Sequence, residues 1–108
     1  MDYSKYKDLK IDKKDKILTI TINRPDDLNA VSEDMHLDFS TIFTDAEFDD
    51  EVDIIILTGA GKAFCAGGDL KWLLRVHGDP LATSYTIAHD RKIQNTMLDM
   101  EKPIIAKV

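Results

Sequence analysis

Four of the five glycines in this chain, Gly59, Gly61, Gly67 and Gly68, lie between Thr58 and Leu70. They follow an apolar run, Val52 to Thr58, and precede a short helical pattern. Glycine admits positive φ and lets a ligand or a second backbone approach closely. A single pair would mean only a tight connection. Four together at the end of a strand read as a ligand site.

The flanking pattern is α/β. Residues 8 to 13 and 17 to 23 alternate apolar and polar, which predicts two strands. The polar stretch between them makes a hairpin with one face on a core. Pro25 stops the second strand and Asp26-Asp27 continues the loop. Ser32 is an N-cap, with Glu33 and Asp34 in the first turn, where the helix dipole favours negative charge. Met35, Phe39, Ile42, Phe43 and Ala46 form one stripe of a helix running to about Phe48. Asp49-Asp50-Glu51 reads as its solvated end. The run from Val52 to Thr58 is expected to be covered on both faces.

A short helix is predicted from about Leu70 to Val76, ended by Gly78. Asp79-Pro80 then serves as N-cap and first residue of a longer helix. Leu81, Tyr85 and Ala88, then Ile93, Met97 and Met100, mark its apolar stripe. Pro103 stops it, and residues 104 to 108 open another strand. The order β-β-α-β-α-α-β carries no linker or low-complexity segment. The last apolar run has no ending, so residues 1–108 are expected to be a truncated part of one domain.

Composition narrows the partners. With 108 residues, 44% hydrophobic and 31% charged, the chain is ordinarily globular. A net charge of −6 disfavours nucleic acid, whose phosphates need clustered Lys and Arg. No apolar run approaches the roughly 20 residues of a membrane-spanning helix. The N-terminus is too polar for a secretory signal. The lone Cys65 can make no internal disulfide and has no metal-ligand spacing around it. A reduced, cytoplasmic protein with no metal, membrane or nucleic-acid partner is expected.

Two common glycine loops do not fit. A P-loop needs glycine where Ile56 stands and Ser or Thr where Ala63 stands. A dinucleotide fingerprint needs glycine where Phe64 stands. A third pattern does fit. Thr58-Gly59-Ala60-Gly61-Lys62-Ala63-Phe64-Cys65-Ala66-Gly67-Gly68-Asp69-Leu70 closely resembles the T-G-x-G-x-x-F-[C/S/A]-A-G-x-D-[L/I] signature of the enoyl-CoA hydratase/isomerase (crotonase) family. Asn23-Arg24-Pro25 with Asn29-Ala30 resembles that family's N-R-P-x-x-x-N-A segment, and Lys102 to Val108 resembles its K-P-[V/I]-I-A-x-[V/I] strand.

The resemblance implies the first turns of a crotonase-like ββα spiral, in which each repeat buries its face against its neighbour. A truncated spiral should expose apolar surface. The resemblance also implies an acyl-CoA thioester as substrate, no permanently bound cofactor, and a trimer or hexamer for the full-length form. The chemistry would be hydration of a 2-enoyl-CoA or a related isomerase, hydrolase, dehalogenase or decarboxylase reaction. Gly68 would give one backbone N–H to an oxyanion hole. Leu28, Ala66, Gly67, Gly68, Asp69 and Leu70 would border the CoA. The second donor and the acid/base carboxylates would lie beyond Val108, so this chain alone is expected to be inactive. A CoA-binding fragment or subunit without catalysis is the alternative.

Other residues are read individually. Asp69 is a helix cap or loop brace rather than an acid catalyst. Cys65 is a small packed side chain, with no histidine placed to activate it. His36 and His77 are expected at the surface or a helix end, and His89 on the long helix. Trp72 and Leu73 are read equally as core or as a wall of the acyl pocket. Arg24 would either meet CoA phosphate or hold the loop.

Overall fold

The computed structural model describes residues 1–108. Its strands are β1 (Leu9–Lys14), β2 (Ile17–Ile22), β3 (Ile54–Gly59) and β4 (Ile104–Lys107), with helices α1 (Glu33–Glu47), α2 (Leu70–Val76) and α3 (Pro80–Asp99). One sheet holds the strands in chain order, β1-β2-β3-β4. β1 and β2 are antiparallel, joined by Asp15 and Lys16 at φ 54° and 66°. Two consecutive positive φ values give a turn whose twist matches a hairpin. β2 pairs parallel with β3, and β3 with β4, so each of those pairs needs a crossover. α1 makes the first crossover, and α2 with α3 the second.

The alternation in β2 becomes a buried face of Leu18, Ile20 and Ile22. It meets Met35, Ile42, Phe43 and Ala46 of α1, and Ile55 and Leu9 complete the layer. Ser32 caps α1 as expected, its Oγ accepting from Met35 N at 3.2 Å. At the far end, Lys102 Nζ donates to the carbonyls of Ala46 and Asp49, both at 2.8 Å. That contact ties the start of β4 to the end of α1.

Four expectations are corrected here. β3 is covered on one face only. Ile55 is buried, while Ile54 and Ile56 on the other face are half-buried, because no helix of this chain packs there. The first half of the predicted α3 stripe points outward. Leu81 is 84% exposed, and of the stripe only Ile93 and Met100 reach the core. His36 is buried, because it continues the inner face of α1 through Ser40 and Phe43 at i+4 and i+7. Its Nε2 meets the Asp90 carboxylate of α3, and its ring lies 5.0 Å from that of Trp72.

Asp49, read as solvated, is also buried. It accepts from the Tyr3 hydroxyl at 2.6 Å, Glu51 N at 2.9 Å and Lys13 Nζ at 3.3 Å. Burial pushes its carboxyl up, but these donors outweigh burial and hold it at about 2. A carboxyl held below its unfolded value of about 3.9 stabilises the fold above that pH and loses the contribution as pH falls toward 2. Asp49→Asn is therefore expected to lower stability by about 2 kcal/mol at pH 7, in the range of hydrogen bonds to a charged group. The deficit should shrink between pH 4 and pH 2. Urea midpoints of both proteins across that range measure it; a constant deficit would contradict the assignment.

Candidate functional site

The glycine-rich loop does not stand alone. It is zipped to the segment that follows β2. After Ile22 a short 3-10 turn, Pro25–Asp27, leads into Leu28 and Asn29 at φ 53° and 57°. Asparagine tolerates that left-handed region, whereas leucine there is unusual. Ala66 N then donates to Leu28 O at 3.1 Å, Val31 N to Gly67 O at 2.7 Å, and Asp69 N to Val31 O at 2.8 Å. Gly67 makes this course possible at φ 103°. Val31 and Gly68 form a parallel bridge. In such a bridge the N–H of the central residue points away from its partner. The Gly68 N–H accordingly donates to no protein acceptor.

Polar side chains brace both segments. Asn29 is fully buried. Its Nδ2 donates to Ala60 O and Ala63 O, both at 2.7 Å, and its Oδ1 accepts from Arg24 N at 2.8 Å. Arg24 donates to Ala30 O, to Asp27 at 2.9 Å and to Asp69 at 3.3 Å. Of the two roles open to Arg24, holding the loop is the one its contacts display. Asp69 caps α2, its Oδ1 accepting from Trp72 N at 3.1 Å. The Trp72 N–H does most to hold its carboxyl below the usual range; Arg24 adds to this against a burial penalty.

A cleft of about 590 Å³ opens along the zipped segments. Leu28, Ala66, Gly68, Asp69 and Leu70 line it, with Arg24, Lys71, Asp26 and Asp27 also at its wall. Gly67 shapes the turn without lining the cleft. Lys71 forms no ion pair, unlike Arg24, and is the free cation of the cleft. Sequence reasoning left out Lys71 and the bracing role of Asn29. The Asn29 signal was present: an asparagine at the end of a loop suits positive φ and a three-way bond to backbone.

The remaining candidates lie elsewhere. Cys65 is half-buried, its Sγ 3.9 Å from Gly67 O. His77 is the C-cap of α2. His89 Nδ1 donates to Tyr85 O at 2.8 Å, and its ring lies 6.4 Å from that of His36. Trp72 is buried beside His36, whereas Leu73 stays 44% exposed. No helix is long and apolar enough to cross a membrane.

Comparison with known proteins meets this geometry from a second side. A family model described as enoyl-CoA hydratase/isomerase matches residues 17–108. The chain is 38% identical to enoyl-CoA delta isomerase 3, peroxisomal, of Mus musculus, over 94% of this chain and 32% of that protein. It is 31% identical to crotonyl-CoA hydratase of Syntrophomonas wolfei, over 95% of this chain and 39% of that protein. Among solved structures, an enoyl-CoA hydratase/isomerase from Mycobacterium paratuberculosis is 31% identical. It superposes with a TM-score of 0.87 over 92% of this chain and 40% of its own. Enoyl-CoA hydratase of Mycobacterium smegmatis, also 31% identical, gives 0.83 over 94% and 40%. The chain thus spans roughly two fifths or less of the length of these relatives. The two motifs that close the cleft lie within the matched residues, and the fold around them is shared with these crotonase-fold proteins. The chain belongs to the enoyl-CoA hydratase/isomerase family.

Proposed function

We propose that residues 1–108 form the acyl-CoA-binding part of a single crotonase-like domain, in which Gly68 N–H donates to the thioester oxygen. The observation that carries this reading is the unpaired Gly68 N–H at the wall of the cleft, between neighbours whose own polar groups are bonded to Val31. A fixed donor aimed at an oxygen favours a state in which negative charge gathers there. In hydration of a 2-enoyl-CoA, a water oxygen adds at C3 and gives up a proton, and the π pair of the C2–C3 bond shifts toward the thioester oxygen. Protonation of C2 then returns it. In isomerisation an enolate on the same thioester oxygen forms instead by loss of a proton from the acyl chain. Hydratases and isomerases both occur among the relatives by name, and both reactions place charge on that oxygen.

The cleft supports the rest of the assignment. Its apolar contributors are Leu28, Ala30, Ala66 and Leu70, and Lys71 offers a free charge to a phosphate. Asp69 is engaged as cap and brace, so it positions the loop and moves no proton. On this reading the Gly68 N–H is one oxygen donor of the site. Deleting a single such donor typically costs on the order of 10²–10³ in rate.

Calorimetry with acetoacetyl-CoA is expected to give a saturable binding heat. Lys71→Glu should weaken that binding about tenfold at low salt and less at high salt. Absence of heat with chain shown to be folded by circular dichroism overturns the reading.

A further inference from the structure

Helix α2 has a single buried anchor. Of its seven residues only Trp72 is buried, while Leu70, Leu73 and Leu74 are exposed. Arg75 also reaches Glu33 of α1 at 3.5 Å, but both side chains are exposed and such a pair holds little. Trp72 packs on His36 of α1, ring to ring at 5.0 Å. His36 is fixed in turn from a third helix, its Nε2 donating to the Asp90 carboxylate of α3. No residue of α3 is buried, and only Ile93 and Met100 pack on the core. Before Ile93, α3 therefore has no apolar anchor in the core, and Asp90 is its link to the buried face of α1. Leucine at 36 would fill the space but leave Asp90 unpaired. Imidazole offers both a flat face to the indole and a donor to the carboxylate.

The other end of this series of contacts is the donor loop. Trp72 N donates to Asp69 Oδ1 at 3.1 Å, and Asp69 N, next in the chain to Gly68, donates to Val31 O at 2.8 Å. We propose that His36 is a positioning residue: by seating Trp72 while pinned to Asp90, it couples the docking of α3 to the aim of the Gly68 N–H. Where it concerns binding, the proposal rests on the reading of Gly68 as oxygen donor. Donors act only when held close to their aimed geometry, and the residues behind them do the holding. His36, Trp72 and Asp90 do not line the cleft, so an effect of theirs on a ligand must pass through α2.

Trp72 is the only tryptophan of the chain, so its emission reports the seat directly. Asp90→Ala removes the pin at a side chain 49% exposed, which the fold tolerates; His36→Ala removes pin and seat together. In both variants, shown to be folded by circular dichroism, Trp72 emission should move to longer wavelength. Amide exchange at Val31 and Asp69, whose N–H groups hold the loop, should quicken. Binding of acetoacetyl-CoA should weaken about threefold to tenfold, the range for residues that act on a site through others. The double variant should bind no more weakly than His36→Ala, because the pin acts only through His36. Tyr6→Phe is the control for general loss of stability: it breaks the buried contact with Asp45 elsewhere on α1 and should leave emission and affinity unchanged. Unchanged affinity and loop exchange in both alanine variants overturn the coupling and leave the proposed function standing. Equal weakening by Tyr6→Phe, or additive losses in the double variant, also overturns it. No binding by the parent chain, with loop exchange still quickened by Asp90→Ala, overturns the proposed function but not the positioning of the loop.

Discussion

Asn29→Ala is expected to destabilise the protein by about 3–5 kcal/mol, the largest effect of any single side-chain truncation in the loop region. The side chain is fully buried and satisfies three backbone groups at once: Arg24 N, Ala60 O and Ala63 O. Alanine would leave all three without a partner, and each buried orphan costs about 1–3 kcal/mol. Alanine also fits poorly at φ 57°. A domain of this size holds only about 5–15 kcal/mol in total. Thermal unfolding should therefore shift down by about 15 °C or more. Asn29→Asp makes the argument sharper. It keeps the acceptor for Arg24 N but turns a carboxylate oxygen toward two carbonyls, so it should be no better than alanine. A near-normal melting temperature for Asn29→Asp would mean that the two Nδ2 bonds do not carry the loop.

Gly59→Ala is expected to be nearly as damaging, for a different reason. A β-carbon at the end of β3 would stand 2.4 Å from Phe64 O and 2.6 Å from Ala63 O. Both are backbone atoms, so no rotamer change relieves the clash. Either β3 loses its last pairing with Ile22 or the loop moves away. We expect a loss of about 3 kcal/mol or more, the scale of overpacking against a fixed neighbour. Gly78→Ala is the matched control. It has φ 81° but nothing within 4 Å of the added carbon, so only the conformational penalty of about 1–2 kcal/mol applies. Urea midpoints for the two variants separate steric from conformational causes. Equal losses would show that the approach of residues 63 and 64 is not what requires glycine at 59.

Much of this architecture was legible in the sequence because its determinants are local. Period-two alternation marked β1 and β2, Ser32 and Asp79 marked helix starts, and Pro103 marked a helix stop. The glycine cluster marked the loop. What stayed hidden depends on contacts across the chain. Asp49 sits in an acidic triplet that looks like solvent-facing residues, and only Tyr3 and Lys13, far away in sequence, make it a buried brace. His36 looks polar, yet it lies on the stripe that α2 and α3 cover through Trp72 and Asp90. The α3 stripe failed for the opposite reason. Leu81 and Tyr85 have helical spacing but no facing element in this chain. In the site, the glycines were visible one by one. The pairing of Leu28 to Val31 with Ala66 to Asp69 was not, since those segments are joined only by hydrogen bonds across the fold.

That pairing bears on the thermodynamics of ligand capture. A loop held on one side by three backbone bonds and on the other by Asn29 has few alternative conformations left to lose. Loops that become ordered only around a guest pay for it in affinity. Here the ordering is completed during folding, so a guest in the cleft meets a donor already in place. Its binding entropy then reflects its own restriction and the release of water, rather than the immobilisation of its host.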